Sequence, residues 1–211
     1  MKKKKTLRIS LILLALFALW TVFVCTIDVK PIGPNSSQVG FATLNKYFHE
    51  LIGVNMTFYT VTDWLSIIPL GFVPIFALQG LLQWIKRKSI TKVDRNLLTL
   101  GIFYVVVMAV FVLFEKIEIN YRPVLINGIL EASYPSSTTM LVLCVMPTAI
   151  MHLNSYIKNK TTKKWVSVLI TAFTIFMVVG RIISGVHWIT DIIGGVLIST
   201  GLILMYWYTE Q

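Results

Sequence analysis

The sequence predicts an all-α, polytopic membrane protein: a bundle of six transmembrane helices with a short helix at the outer interface. Three observations predict it. Of 211 residues, 56% are hydrophobic and only 13% charged, against about 25% charged in an ordinary soluble domain. The apolar residues gather into six runs, 9–27, 64–85, 97–114, 137–157, 165–183 and 188–208. Each is close to the roughly 20 helical residues that cross a hydrocarbon core of about 30 Å. The basic residues, finally, are sorted to one side of these runs. Lipid offers no partner to backbone polar groups, so only helices or closed barrels span it, and these runs are too long and too uniformly apolar for barrel strands. A disordered chain, a disulfide-built miniprotein and a soluble enzyme are excluded. The length suits one domain over 1–211.

The first run follows Lys2, Lys3, Lys4 and Lys5. It exceeds the 7–15 apolar residues of a signal peptide and lacks a small-residue cleavage site, so a retained membrane helix is expected. Fourteen of the 19 Lys and Arg lie in 2–8, 86–95 and 158–164. The other five, Lys30, Lys46, Lys116, Arg122 and Arg181, fall on the opposite side. The positive-inside rule therefore predicts cytoplasmic termini and an outward position for the loops that hold those five. The same rule accounts for the formal charge of +10, and no nucleic-acid-reading motif accompanies it. The long outer loop, 32–59, opens with turn residues. Phe41, Leu44, Phe48, Leu51 and Ile52 then recur at helical spacing, with Asn45, Lys46, His49 and Glu50 between them. That pattern predicts a short amphipathic helix at the interface. Cys25 and Cys144 sit inside apolar runs and are expected as packing residues.

Polar residues within apolar spans are costly and each needs a reason. Asp63, Gln79, Gln83, His152 and Asn154 are scattered, and caps or interhelical hydrogen bonds explain them. A second set converges on one membrane depth, the outer one. Glu115, Lys116, Glu118 and Arg122 follow the third span; Glu131, Tyr134, Ser136, Ser137, Thr138 and Thr139 precede or open the fourth. Arg181 closes the fifth, and His187 and Asp191 start the sixth. Two arginines and a lysine gathered there call for anions, and guanidinium forks fit phosphate oxygens. His187 and Asp191, spaced i and i+4, share a helix face. The carboxylate can take the proton of one ring nitrogen and leave the other nitrogen's lone pair free to attack.

These residues resemble a known family. Arg181, His187 and Asp191 fit the R-x5-H-x3-D motif of the type 2 phosphatidic acid phosphatase superfamily, membrane lipid phosphatases related to the vanadium haloperoxidases. Pro135-Ser136-Ser137-Thr138 resembles its P-S-G-H element, and Arg122-Pro123 the end of its K-x6-R-P element. The resemblance implies that His187 is the nucleophile and forms a phosphohistidine, oriented by Asp191. It implies that Arg122, Arg181 and Lys116 clamp phosphoryl oxygens, with Ser136 and Ser137 adding hydrogen bonds, and that no metal or cofactor is needed. The chain departs from the pattern twice. Thr138 stands where the family's proton-donating histidine stands, and Lys116 is one residue too close to Arg122, with Glu115 in the strict register. Threonine delivers no proton near neutral pH. General acid catalysis is worth about 10²–10⁴-fold, so the expected substrate is one that leaves without a proton. A lipid diphosphate, such as a polyprenyl diphosphate, meets that requirement at the outer leaflet of a bacterial plasma membrane. The alternatives are a phosphotransferase with an alcohol acceptor and a non-catalytic phospholipid-binding or transport protein.

Overall fold

The computed structural model describes residues 2–211, and it is helical throughout its long elements. The helices are α1 (Lys2–Thr26), α2 (Ala42–Ile52), α3 (Met56–Leu65), α4 (Ile67–Arg87), α5 (Arg95–Lys116), α6 (Ser137–Tyr156), α7 (Lys160–Ser184) and α8 (Ile189–Glu210). Among the described residues six helical stretches are long and apolar enough to cross a membrane. The protein is an integral membrane protein. Where basic residues flank a run, at the starts of α1 and α7 and the ends of α4 and α5, the helix continues through them, because Lys and Arg extend a helix at little cost and reach water on long stems.

One boundary differs in kind from the sequence reading. The expected loop to residue 59 ends at Asn55, whose Oδ1 accepts the Phe58 N–H at 3.1 Å and starts α3. The second span is thus α3 and α4 together, Met56–Arg87, interrupted at Ser66. Pro69 explains the interruption: it has no N–H to give the Leu65 carbonyl, so the helix restarts.

Packing is organised by α6 and α8, the two most buried spans. α1 lies along α8, while α6 touches α4, α5, α7 and α8, and α3 lies on α7. The core joins Leu100, Phe103, Tyr104 and Val107 of α5 to Met140, Cys144, Val145 and Ala149 of α6, and Ile198 and Tyr206 of α8. Cys144 is buried there and Cys25 is exposed, and both are free. Close approach of α8 to the segment before α6 depends on Gly194, where a Cβ would lie 2.7 Å from the Tyr134 ring. Tyr134 itself points into the bundle, its hydroxyl 2.7 Å from Thr21 Oγ1. The scattered polar residues find partners across helices, as the cost of burial demands: His152 with Gln79 at 3.0 Å, Gln83 with Asp94 at 2.7 Å and Asn154 with Ser167 at 3.1 Å.

The expected amphipathic helix is α2, and its inward side joins part of the apolar stripe to a polar residue. Ala42 and Asn45 are buried and Phe41, Phe48 and Ile52 half-buried, whereas Leu44 and Leu51 are exposed. Asn45 Nδ2 donates to the Gly40 carbonyl at 2.8 Å and to Thr190 Oγ1 at 2.9 Å, and its Oδ1 accepts the Thr190 N–H at 3.3 Å. The first turn of α8 has N–H groups without helical acceptors, and Asn45 meets that need. A polar anchor therefore works beside the apolar contacts of Phe41, Phe48 and Ile52.

The turn between α7 and α8 is set by Gly185. Its φ is +62°, and a Cβ there would lie 1.9 Å from the Gly53 carbonyl oxygen. The expected outcome for Gly185→Ala is a loss of more than about 1 kcal/mol of stability, read as a lower melting temperature in detergent.

Candidate active site

The loop from α5 to α6, the end of α7 and the start of α8 meet at one end of the bundle. Backbone hydrogen bonds brace the loop: Arg122 N–H to the Glu131 carbonyl at 3.0 Å, and Ser133 N–H to the Asn120 carbonyl at 2.9 Å. That bracing delivers Arg122 to His187, with Nη1 3.4 Å from Nε2. A guanidinium only donates, so the contact requires a lone pair on His187 Nε2 and the proton on Nδ1. Nε2 then carries the free lone pair and faces a cation.

Asp191 sits less simply than its spacing suggests. Nδ1 of His187 is 3.8 Å from Asp191 Oδ2, beyond a hydrogen bond, and it is buried without a partner. The carboxylate is held elsewhere: Oδ2 accepts the Trp188 N–H at 3.1 Å, and Oδ1 accepts from Asn120 Nδ2 at 3.2 Å. Asp191 is in the first turn of α8, where a carboxylate is drawn to free N–H groups. This corrects the expected direct hydrogen bond. Ser133 lies against both groups, its carbonyl toward the ring and its hydroxyl toward the carboxylate. Asn120 also accepts from Gly40 N–H at 3.3 Å, which ties the site to the loop before α2.

Arg181 is only 1% exposed. Its Nη2 donates to Thr138 Oγ1 at 2.7 Å and to Asp63 Oδ1 at 3.0 Å. Nε and Nη1 are buried with no partner. Tyr59 stands between the two arginines, its ring centroid 5.1 Å from the Arg181 guanidinium and 5.8 Å from that of Arg122. Arg122 also pairs with Glu131 at 3.0 Å. Unmet guanidinium donors beside an imidazole lone pair form a place for an anion whose central atom the imidazole can attack.

Arg122, Arg181, Thr138, His187 and Asp191 are thus brought together. Ser137 is half-buried on the wall of an adjoining groove. Ser136 is fully buried, its hydroxyl 3.0 Å from Thr139 Oγ1. Lys116 is exposed at the end of α5. Asp63, expected as a cap or an interhelical hydrogen bond, makes the latter to Arg181 and so belongs to the arginine cluster. Tyr59, Asn120, Ser133 and Glu131 complete it. The spacing of Tyr59 and Asp63, one turn apart on one face, was the available signal.

His187 is 6% exposed. Burial first, then the charges of Arg122 and Arg181, push its pKa well below the usual imidazole range. Its ring is therefore neutral at neutral pH and gains a proton only at distinctly acid pH. Arg122→Gln removes one depressing charge, so the His187 titration is expected to move to higher pH, as read by ¹⁵N-histidine NMR in micelles.

Comparison with known proteins places this arrangement. The chain superposes on the crystal structure of the first transmembrane PAP2 type phosphatidylglycerolphosphate phosphatase from Bacillus subtilis with a TM-score of 0.60, covering 95% of this chain and 94% of that one. At 20% identity the likeness is one of fold. No curated protein matches at a significant level. A model of the PAP2 superfamily matches residues 102–211, a stretch that contains Arg122, Thr138, Arg181, His187 and Asp191. The chain belongs to the PAP2 superfamily.

Proposed function

We propose that the protein is a membrane lipid phosphatase that removes a terminal phosphate from a lipid at the outer leaflet, by way of a phosphohistidine on His187. Membership of the superfamily and the membrane-phosphatase fold support the coarser part of that reading. The observation that carries the mechanism is the Nε2 lone pair of His187 held beside Arg122, with two unpartnered donors of Arg181 in the same cluster. In the first step Nε2 attacks phosphorus and the lipid oxygen leaves. In the second step water attacks the phosphohistidine and releases inorganic phosphate. The guanidinium groups stabilise the charge that builds on the phosphoryl oxygens in both steps. Asp191 and Ser133 oppose the protonated Nδ1 edge of the ring and support the cationic character it gains.

The outward orientation follows from charge. The site lies at the end of the bundle away from the basic segments 86–95 and 158–164, which the positive-inside rule assigns to the cytoplasm. Both termini share the cytoplasmic side, and the basic, acid-poor chain suits a bacterial plasma membrane.

Leaving-group chemistry narrows the substrate. Thr138 occupies the proton donor's place and hydrogen-bonds Arg181. A lipid monoester expels an alkoxide and needs a proton, whereas a lipid diphosphate expels a phosphate monoester, already a stable anion. The expected preference is for a diphosphate such as a polyprenyl diphosphate. The neighbour's name specifies a lipid monophosphate, phosphatidylglycerolphosphate, and that compound is the natural comparison.

Purified wild type, with chelator present, is expected to show at least about tenfold higher kcat/KM on a polyprenyl diphosphate than on phosphatidic acid or phosphatidylglycerolphosphate, a part of the 10²–10⁴-fold that an acid supplies. Equal values would remove the diphosphate preference. His187→Asn is expected to abolish phosphate release from every substrate. Unchanged release would remove the phosphohistidine, and lipid binding without release by the wild type would favour a non-catalytic protein. The acid limb of wild-type kcat/KM is expected to fall only well below the usual imidazole pKa of about 6.5, because a neutral His187 is the active form.

A further inference from the structure

Asp63 adjoins the contact between Arg181 and Thr138. It accepts from the same Nη2 atom of Arg181 as Thr138 does, so it lies on Thr138's side of the guanidinium. Its side chain is 56% exposed although its partner Arg181 is buried, so the carboxylate faces an open space. That space is a groove of about 360 Å³. Asp63, Ser137 and Thr138 line its polar mouth, and apolar residues such as Val73, Val107 and Val145 line the rest. The groove is open along the lipid-facing side of the bundle, where Leu70 and Met108 are exposed.

These two observations locate the leaving group. In a lipid phosphate the apolar chain is bonded to the oxygen that departs. An apolar groove whose mouth adjoins the arginine cluster takes the chain, and the departing oxygen then lies at that mouth, beside Asp63. We propose that Asp63 is a catalytic residue: it protonates the leaving lipid oxygen in place of the family histidine replaced by Thr138. The inference rests on the lipid-phosphatase reading.

The step balances. Phosphoryl oxygens take the free donors of Arg181. The guanidinium that faced Asp63 is then shared with the substrate anion, and Asp63 enters the step in its acid form, its exposed side chain having taken a proton from water. The lone pair of His187 Nε2 forms the P–N bond. The P–O bond to the lipid breaks with its electron pair on oxygen, and the Asp63 proton goes to that oxygen, giving the lipid alcohol. Asp63, now a carboxylate, accepts a proton from the water that attacks phosphorus. The P–N bond breaks with its pair returning to Nε2, inorganic phosphate leaves, and Asp63 is again protonated. The ionisable groups around it are Arg181 from α7, Tyr59 one turn earlier on α3 and Tyr104 of α5 farther along the groove, with Arg122 and Glu131 beyond Tyr59.

The monoester turnover that accompanies the diphosphate preference is the part that runs through Asp63. The test compares Asp63→Asn and Asp63→Glu with the wild type on a lipid monophosphate, its diphosphate counterpart and 4-nitrophenyl phosphate. Asparagine keeps the size and a hydrogen bond but carries no transferable proton. The expected result for Asp63→Asn is a fall in kcat of about 100-fold on the lipid monophosphate and only a few-fold on the other two, in line with the worth of a general acid. Asp63→Glu is expected to restore much of the monophosphate rate. A melting profile in detergent like that of the wild type shows that the variant is folded. Equal losses on all three substrates, or no loss on any, would overturn the inference and leave Asp63 as a support for Arg181. No phosphate release by the wild type from any of them would overturn the lipid-phosphatase reading, and this inference with it.

Discussion

A guanidinium closed inside an apolar bundle is the constraint on which the rest of the structure depends. Burying a lone cation costs several kcal/mol even after relaxation, so Arg181 needs company on every side the fold leaves it. α3 supplies a carboxylate from Asp63 and a ring face from Tyr59, and α6 supplies the Thr138 hydroxyl. The demand is met only in part, because two donors stay empty. Partial satisfaction distinguishes a binding site from a structural ion pair. A fully paired arginine has nothing to offer an incoming anion, and an unpaired one would be too costly to bury.

The same division appears around His187. Asp191 and Asn120 secure the start of α8 through the Trp188 N–H and the Gly40 N–H, while the imidazole beside them keeps Nδ1 without a hydrogen bond. The helix terminus takes the carboxylate's best geometry, and the ring takes its charge at a distance. Asn45 performs a parallel task for Thr190 from α2. The first turn of α8 is thus fastened from α2 and from the loop before α6, and the imidazole of His187 just before it inherits that rigidity.

Much of this was legible in the residue order. Lipid dissolves only apolar surface, so the six spans declare themselves by hydropathy, and the unequal shares of lysine and arginine orient them. Arg122, Arg181 and His187 stood out because charge at the edge of an apolar span demands an explanation. Asp63 was harder to see. One acid near the end of an apolar run looks like a cap, and no local pattern says that α3 leans on α7. Asn45 was hidden for a related reason. Periodicity marks apolar positions and not a buried amide between them, and the group that holds Asn45 inside, Thr190, lies 145 residues away. Spacing also assigned His187 and Asp191 a shared face correctly, but a shared face sets neighbourhood and not distance. The N-cap of α8 drew the carboxylate toward itself.

The groove beside Asp63 opens sideways, toward the surface that acyl chains cover, and not only upward toward water. A molecule that enters by such a door never has to leave the bilayer. Its encounter rate is then governed by crowding in two dimensions, by mole fraction among lipids and not by moles per litre. Diluting the membrane with inert lipid slows such an enzyme, whereas diluting the whole suspension leaves it untouched.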